Sequence, residues 1–271
     1  MATTQTVAVL GTGKIGEALL SGMIRAGWHP TNLLVTTRRP DRAEELRTRY
    51  GVEAVTNAEA AKRAETLILA VKPQDMGKLL DELAPHTTAD HLLISAAAGI
   101  PTTFIEERLP HETPVVRVMP NTPVLVDEGM SVISAGTHAT PAHLAHTTEI
   151  FGAVGKTLRV PESQQDAATA LSGSGPAYFY YLVEAMTDAG ILLGLPRAQA
   201  HDLIVQAAIG AAVMLRDSGE HPVKLREAVT SPAGTTISAI RELENHGVRA
   251  ALINALEAAR DRSRELASGN G

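Results

Sequence analysis

Two patterns of apolar residues divide the chain near Pro161. Before that point, short apolar runs alternate with longer segments whose apolar positions recur at helical spacing, which predicts buried strands separated by helices. The predicted strands lie near 6–10, 33–36, 52–55, 66–71, 91–95, 114–118, 130–134 and 157–160. The predicted helices lie near 14–26, 41–49, 58–63, 75–83, 101–108 and 141–152.

This alternation predicts an α/β fold, with an N-terminal Rossmann-type, doubly wound domain over residues 1–161. Nearly continuous apolar strands indicate a mostly parallel sheet that helices cover on both faces. Aromatic residues make up only 3% of the chain, so small and branched aliphatic side chains must fill the core.

Residues 162–271 contain no further strand pattern and are predicted to form an all-helical domain, with helices near 175–194, 197–216, 221–229, 233–245 and 247–267. The segments 177–193 and 203–215 are apolar on almost every side, and such helices must be buried all round. A domain of this size has too little interior to bury them, so we expect them to pack against a second subunit. An apolar monomeric core packed on the first domain is the alternative.

Composition excludes several classes of function. The chain has 271 residues, and its 24 basic against 30 acidic residues give a net charge of −6, which argues against nucleic-acid binding. Cysteine is absent, which excludes disulfides, thiol catalysis and thiolate-bound zinc. His143 and His146 are three positions apart without nearby carboxylate pairs, a pattern typical of a solvated helix face, so no metal site is predicted.

The sequence also indicates a cytoplasmic protein without membrane contact. The longest uninterrupted apolar runs, such as 207–215, are much shorter than the roughly 18 residues of a membrane span. The first residues lack the basic region of a secretory signal.

A glycine-rich turn joins the first predicted strand to the first predicted helix. It reads GTGKIG, the pattern of a dinucleotide-binding turn in its required strand–turn–helix setting. The first glycine makes the tight turn, the second lets the backbone approach a pyrophosphate, and the third lets the helix lie close to the strand. The free N–H groups of the helix start then face the phosphates. The predicted residues are Gly11, Thr12, Gly13, Lys14, Ile15 and Gly16.

The end of the second strand indicates which dinucleotide binds. Thr36, Thr37, Arg38 and Arg39 stand where NAD enzymes usually carry a carboxylate, and no carboxylate occurs before Asp41. Hydroxyl and guanidinium groups suit a 2′-phosphate. We therefore predict NADPH as cofactor, with NADH accepted less well; a solvated arginine pair on a loop is the alternative.

Further cofactor contacts are expected at the carboxyl ends of the third, fourth and fifth strands, because open parallel sheets bind ligands there. Asn57 is placed near the adenosine half, and the other candidates near the nicotinamide. These candidates are Ala70, Val71, Lys72, Pro73, Ala96, Ala97 and Ala98.

A second small-residue turn, VTSPAGTT, opens the helix predicted from residue 233. Exposed N–H groups at a helix start can hold a carboxylate, and two threonine hydroxyls beside them can bond a nitrogen or oxygen of the same ligand. The predicted substrate residues are Ser231, Gly234, Thr235 and Thr236. A purely structural N-cap would explain Ser231 alone.

Five segments in order closely resemble the pyrroline-5-carboxylate reductase family: AVLGTGKIGEALLSG, AVKPQ, RVMPNTP, LSGSGPAYF and VTSPAGTT. The resemblance spans nearly the whole chain and departs at Ala233, where the family often has a second glycine. It implies NADPH-dependent reduction of 1-pyrroline-5-carboxylate to L-proline, the last step of proline biosynthesis.

The resemblance also implies an assembly and residue roles. The C-terminal helices would interlock between two subunits of a homodimer, and dimers of the family commonly assemble to decamers. The active site would join the nucleotide domain of one subunit to the helical domain of its partner. Thr236 would be the catalytic residue that bonds the ring nitrogen, the backbone around Gly234 and Thr235 would hold the carboxylate, and Glu162 matches a further substrate contact.

Two other functions remain open. A two-domain hydroxyacid-type dehydrogenase has this layout but draws a catalytic lysine from its helical domain, and Lys224 is the only lysine from residue 157 onward. A non-catalytic NADP-sensing protein could use the same scaffold, since fold alone does not decide function.

Overall fold

The computed structural model describes residues 5–110 and 112–267. The chain forms two compact units: residues up to Ser174 together with those from Ala259 onward, and Gly175–Ala258. The predicted domain boundary after residue 161 rests on the change of apolar pattern, whereas these two units are defined by contacts between residues. The boundary stays a prediction.

The first unit contains all eight predicted strands in one sheet. They are β1 (Val7–Leu10), β2 (Leu33–Thr36), β3 (Glu53–Ala54), β4 (Thr66–Leu69), β5 (Leu92–Ser95), β6 (Val115–Met119), β7 (Gly129–Ala135) and β8 (Gly155–Arg159). Their order in the sheet is β3-β2-β1-β4-β5-β6-β7-β8. Neighbouring strands are parallel except for the antiparallel pair β6 and β7. The predicted Rossmann-type, mostly parallel sheet is therefore confirmed.

Helices connect these strands close to the predicted positions. They are α1 (Lys14–Arg25), α2 (Pro40–Tyr50), α3 (Asn57–Arg63), α4 (Met76–Leu83), α5 (Thr102–Glu106), α6 (Pro141–Gly152) and the unpredicted α7 (Gln165–Ala168). Local caps explain several boundaries: Thr56 and Glu59 form a reciprocal capping box at α3, and α2 ends at Gly51 with a φ of 70°. One turn of π-helix, Thr169–Gly173, follows α7.

The core of this unit lies on both faces of the sheet. Along β1, Val7 and Val9 belong to one buried apolar cluster, whereas Ala8 and Leu10 belong to the other. Burying one such aliphatic side chain contributes about 1.5–3 kcal/mol, so both faces stabilise the sheet. This two-sided burial is why the strand sequences are apolar throughout rather than alternating.

The second unit, every residue of which the structure describes, contains helices only. They are α8 (Gly175–Leu192), α9 (Arg197–Ser218), α10 (Pro222–Ala228), α11 (Thr235–Asn245) and α12 (Val248–Ala267), the last part of which belongs to the first unit. There the Ser263 hydroxyl donates a hydrogen bond of 2.8 Å to Asp166 Oδ1, in α7. Within the second unit, α8 and α9 approach closely, because a Cβ at Gly190 would lie 2.6 Å from the Ala200 Cβ.

Large apolar side chains on α8, on α9 and at Leu193 just after α8 remain exposed in the single chain, although the sequence pattern predicts their burial. They are Phe179, Tyr180, Tyr181, Met186, Leu192, Leu193, Leu203, Ile209, Val213, Met214 and Leu215. We call this set the exposed apolar face. One chain alone does not supply its cover.

By length and composition, α9 is also apolar enough to span a membrane. Uninterrupted apolar runs do not indicate this property, because polar residues are spaced along the helix. Buried helices of soluble proteins meet the same two criteria, so the property does not separate a membrane span from a subunit contact.

Candidate active site

The turn between β1 and α1 needs each of its three glycines for a different reason. Gly11 has a φ of 95°, and a Cβ there would lie 2.9 Å from the Ala70 carbonyl oxygen. A Cβ at Gly16 would lie 2.2 Å from the Gly11 carbonyl oxygen, so only glycine lets α1 approach this closely. A Cβ at Gly13 would meet nothing within 4 Å, which leaves its backbone open to a ligand.

The start of α1 is built to receive an anion. Gly13 is its N-cap and supplies no side-chain hydrogen bond, so the first-turn N–H groups from Lys14 to Gly16 lack a side-chain acceptor. The Thr12 hydroxyl oxygen is buried without a hydrogen-bond partner among the described residues. A buried hydroxyl left unpaired costs about 1–3 kcal/mol, which a bound phosphate oxygen would offset. The turn therefore fits the pyrophosphate of a dinucleotide.

A groove of about 550 Å³ crosses the carboxyl ends of β1, β2 and β4. Its volume is within the usual range for small-molecule sites. Ten predicted cofactor residues line it: Gly11, Thr12, Gly13, Thr37, Arg38, Arg39, Asn57, Ala70, Val71 and Lys72. Thr36, of the same predicted window, lines it as well, and seven lining residues were not predicted: Arg42, Val55, Thr56, Asp75, Lys78, Leu79 and Glu82.

The remaining predicted cofactor residues lie outside this groove. Lys14, Ile15 and Gly16 begin α1, and Pro73, Ala96, Ala97 and Ala98 follow the ends of β4 and β5. The Ala96 N–H nevertheless donates to the Leu69 carbonyl over 2.9 Å, which places the start of the 96–98 segment beside groove-lining Ala70. Their contacts with the cofactor stay predictions.

Charged side chains gather at the end of the groove next to β2. Arg38 extends to Asp75, with Nη1 and Nη2 at 3.4 and 3.2 Å from the two carboxylate oxygens. Arg39 pairs with Asp41, and their hydrogen bond raises the pKa of Arg39 and lowers that of Asp41. The two arginines thus have different partners, and only the Arg38 partner is a groove residue.

The helix α4 brings further charge to the groove that sequence analysis did not identify. Lys78 of α4 lines it beside the predicted Lys72, and the described part of the chain offers neither of them an ion-pair partner. Glu82 accepts a hydrogen bond of 2.7 Å from Asn57 Nδ2 and so fixes this predicted adenosine contact. Lys78 and Glu82 are four residues apart on one helix face, a spacing that could have indicated a shared role.

The VTSPAGTT turn opens α11, which begins at Thr235 rather than at the predicted residue 233. Gly234 is its N-cap, in extended conformation and without a side-chain hydrogen bond. Ser231 therefore does not cap the helix; its carbonyl accepts the Gly234 N–H over 3.1 Å. The first-turn N–H groups have no side-chain acceptor, and the Thr236 side chain is half-buried beside them.

Ala233 adopts a left-handed backbone conformation with a φ of 56°. This conformation costs a non-glycine residue about 1–2 kcal/mol, and Asp127 is the only other described non-glycine residue with a positive φ. The turn therefore keeps its shape at an energetic cost, at the position where sequence analysis noted a departure from glycine.

Glu162, predicted to contact substrate, has both carboxylate oxygens occupied by protein donors. The Thr102 N–H donates to Oε1 over 2.8 Å, the Thr102 hydroxyl donates to Oε2, and Arg117 Nη1 lies 3.3 Å from Oε1. These contacts give Glu162 a structural role, and its contact with substrate stays a prediction.

Two residues of the RVMPNTP segment, to which the sequence assigned no role, make contacts within the first unit. Arg117 is a buried cation within β6, 4% exposed. Asn121 donates to the Ser172 carbonyl in the π-helical turn over 3.0 Å and accepts the Met130 N–H over 2.9 Å. In the sequence, Arg117 could have been recognised as a functional residue because it is a charged residue within an otherwise apolar strand.

Comparison with known proteins identifies the family of this chain. A family model described as pyrroline-5-carboxylate reductase dimerisation matches residues 162–266, and one described as NADP oxidoreductase coenzyme F420-dependent matches residues 6–99. A protein of Corynebacterium melassecola named pyrroline-5-carboxylate reductase is 46% identical over 96% of this chain and 98% of its own length. The chain belongs to the pyrroline-5-carboxylate reductase family.

Solved structures of pyrroline-5-carboxylate reductases have the same fold. One from Coxiella burnetii is 35% identical, covers 97% of this chain and 99% of its own, and superposes with a TM-score of 0.93. A Plasmodium falciparum pyrroline carboxylate reductase with NADP bound is 29% identical, covers 98% of this chain and 100% of its own, with a TM-score of 0.87. These likenesses confirm the resemblance that the five sequence segments indicated.

The dimerisation model of the pyrroline-5-carboxylate reductase family covers α8 and α9, which carry the exposed apolar face. This match supports the predicted oligomer. It also gives the apolar character of α9 an explanation that needs no membrane.

Proposed function

We propose that this chain reduces 1-pyrroline-5-carboxylate to L-proline with NADPH, the last step of proline biosynthesis. The observation that carries this proposal is the uncapped start of α11, where the first-turn N–H groups have no side-chain acceptor and Thr235 and Thr236 occupy the first two helical positions. Such a site suits a small molecule that carries both a carboxylate and a nitrogen. Membership of the pyrroline-5-carboxylate reductase family supports the same substrate.

Residues at the β1–α1 turn would hold the cofactor. The N–H groups after Gly13 and the unpaired Thr12 hydroxyl suit its pyrophosphate, and Asn57 suits the adenosine half. Arg38 and Arg39 suit a 2′-phosphate, so NADPH is favoured and NADH is accepted less well. Ala70, Val71, Lys72, Pro73 and Ala96 to Ala98 border the nicotinamide side. When bound, NADPH supplies the hydride for the C=N carbon.

In this proposal the substrate is held at α11. N–H groups of Thr235 and Thr236 receive the carboxylate at the positive end of the helix dipole, and Gly234 and Ser231 complete the turn. The Thr236 hydroxyl bonds the ring nitrogen and orients the C=N bond. Because the substrate can carry its own proton on nitrogen, the residues chiefly supply orientation and electrostatics.

The proposed enzyme is a cytoplasmic homodimer with interlocked C-terminal helices, and its dimers assemble into decamers, as the family resemblance implies. Burial of the exposed apolar face between subunits supplies the driving force. The active site would join the nucleotide domain of one subunit to α11 of the partner subunit. Nucleic acid and membrane have no part in this function.

The test is NADPH oxidation by the purified chain, followed as loss of absorbance, with and without 1-pyrroline-5-carboxylate. Thr236→Ala should lower kcat by roughly 10–1000-fold, as removal of one orienting donor does elsewhere, while Thr236→Ser keeps the hydroxyl and most of the rate. Oxidation of a hydroxyacid instead would indicate the dehydrogenase alternative. Cofactor binding without turnover of any substrate would indicate the NADP-sensing alternative.

A further inference from the structure

We infer that Glu162 is a positioning residue that fixes the segment 96–101, beside the nicotinamide half of the cofactor, through Thr102 and Arg117. The inference rests on the proposed function, because it assigns Ala96 to Ala98 to the nicotinamide side. It replaces the direct substrate contact that the family resemblance implied for Glu162. All the residues involved lie in the first unit.

The contacts of Glu162 form a clamp on the start of α5. One carboxylate oxygen accepts the Thr102 N–H at 2.8 Å, and the other accepts the Thr102 hydroxyl. Pro101, the N-cap of α5, provides no side-chain acceptor, so Glu162 serves as the cap from a distant part of the chain. Its negative charge also suits the positive end of this helix.

Arg117 fixes where the Glu162 carboxylate can lie. Arg117 is opposite Ser95 of β5 on one side and Ser134 of β7 on the other, so it sits inside the sheet. Within the described residues Glu162 is its only ion-pair partner, at 3.3 Å. Removing the partner of a buried charge is strongly destabilising, so the carboxylate is held at the sheet.

The clamp matters because, apart from apolar packing of Ala97 and Ile100 against the buried core, the hydrogen bonds that hold the segment 96–101 lie at its first end. There the Ala96 N–H donates to Leu69, next to groove-lining Ala70, and the Ala97 N–H lies 3.4 Å from the Ser95 hydroxyl oxygen. Gly99 follows with a φ of 71°, a position of high backbone freedom. Glu162 holds the second end at Thr102, and release of that end would let the small side chains move.

The chain offers a matched control at the other end of α5. Glu106 accepts the Thr137 N–H at 2.6 Å and the Thr137 hydroxyl at 3.0 Å. Here too a glutamate accepts one backbone N–H and one hydroxyl from a single threonine, but this pair joins α5 to the segment after β7. Glu106→Gln therefore removes an equivalent clamp without releasing the segment 96–101.

The first experiment measures hydrogen–deuterium exchange in the cofactor-free full chain. We expect Glu162→Gln to accelerate exchange in peptides covering 97–103 about tenfold, whereas Glu106→Gln accelerates it around Thr137. Unchanged exchange at 97–103 in Glu162→Gln would overturn the inference. Should Glu162→Gln fail to fold, Thr102→Val, which removes only the hydroxyl contact, takes its place.

The second experiment separates positioning from substrate contact by kinetics. We expect Glu162→Gln to lower kcat about tenfold, leave the substrate KM within threefold, and increase the isotope effect with deuterated NADPH. Thr102→Val should lower kcat in the same way but by a smaller factor, and Thr102→Ser should retain the wild-type rate. Glu106→Gln should change the melting temperature but not kcat.

The double variant Thr102→Val/Glu162→Gln distinguishes action through Thr102 from direct contact with substrate. If Glu162 acts through Thr102, the double variant is no slower than Glu162→Gln alone. A kcat in the double variant that falls by the product of the two single effects, or a KM that rises while kcat is unchanged, would overturn the inference in favour of direct contact. A wild-type chain with no reductase activity would instead overturn the proposed function, and hydrogen exchange would still test the clamp.

Discussion

The two units use apolar residues in opposite ways. In the first unit the central strands β1, β4 and β5 are buried on both faces, so one chain completes the core. In the second unit α8 and α9 leave side chains such as Phe179 and Leu203 more than 60% exposed. A run of apolar residues therefore indicates burial but does not say whether the same chain provides it.

Two different family models match the two parts of the chain. The unit with a complete core carries the glycine turn and the groove, where precise placement of backbone groups matters most. The unit with an incomplete core matches a dimerisation model, and its stability is tied to the presence of a second chain. Four predictions test the contrast, in order of decreasing effect.

The largest effect is expected from a charge placed on the exposed apolar face. Leu203→Glu would put an unpaired carboxylate into the subunit contact, where an uncompensated buried charge costs about 3–5 kcal/mol. We expect loss of the oligomer by sedimentation and a lower melting temperature. The control is Leu158→Glu on β8, at a residue of similar exposure in the first unit, which should leave the oligomer intact. Equal tolerance of both charges would contradict the contrast.

The next prediction separates the effect of the glycine turn on stability from its effect on cofactor binding. Gly16→Ala places a Cβ against the Gly11 carbonyl and should destabilise the chain by about 1–3 kcal/mol in chemical denaturation. Gly13→Ala meets no protein atom and should change stability by less than about 1 kcal/mol, yet weaken NADPH binding at least tenfold by calorimetry. Wild-type NADPH affinity in Gly13→Ala would remove this turn from the cofactor site.

A smaller effect concerns cofactor choice. Arg38→Ala should weaken NADPH binding about tenfold while NADH binding changes little, because in the proposed site the guanidinium bonds the 2′-phosphate, a group that NADH lacks. Arg47→Ala is the matched control, since this α2 arginine pairs with Glu44 and lies outside the groove. An equal loss for both cofactors would show that Arg38 does not read the 2′-phosphate.

The smallest effect concerns the turn before α11. Ala233→Gly removes the strain of a left-handed alanine and should raise the free energy of unfolding by about 0.5–1 kcal/mol, measured in denaturant. Ala239→Gly, within α11, should instead lower it by about 1 kcal/mol. Destabilisation by both glycines would show that the backbone at Ala233 is not strained.

The sequence predicted the elements well because each depends on local pattern. All eight strands and the long helices were expected within a few residues, and Gly11, Gly13 and Gly16 have the surroundings that their spacing implied. By contrast, α7 and the following π-helical turn were not predicted, since their small and polar residues carry no clear periodicity.

The lining of the groove could be predicted only in part. Residues directly after strands, such as Arg38, follow from the topology of a parallel sheet. Asp75 and Lys78 reach the same groove from the start of α4, and only the three-dimensional packing of that helix reveals it. The partners of Glu162 are equally remote, because Thr102 and Arg117 are far from it in sequence.

The return of α12 to the first unit has a consequence for protein synthesis. The residues that contact Asp166 emerge from the ribosome only after the entire helical unit has been made. The sheet can assemble early, but its surface around α7 must wait, unprotected, until translation reaches Ser263. A ribosome that stalls within α12 would therefore hold a nascent chain whose sheet is formed but whose α7 still lacks its contact with Ser263.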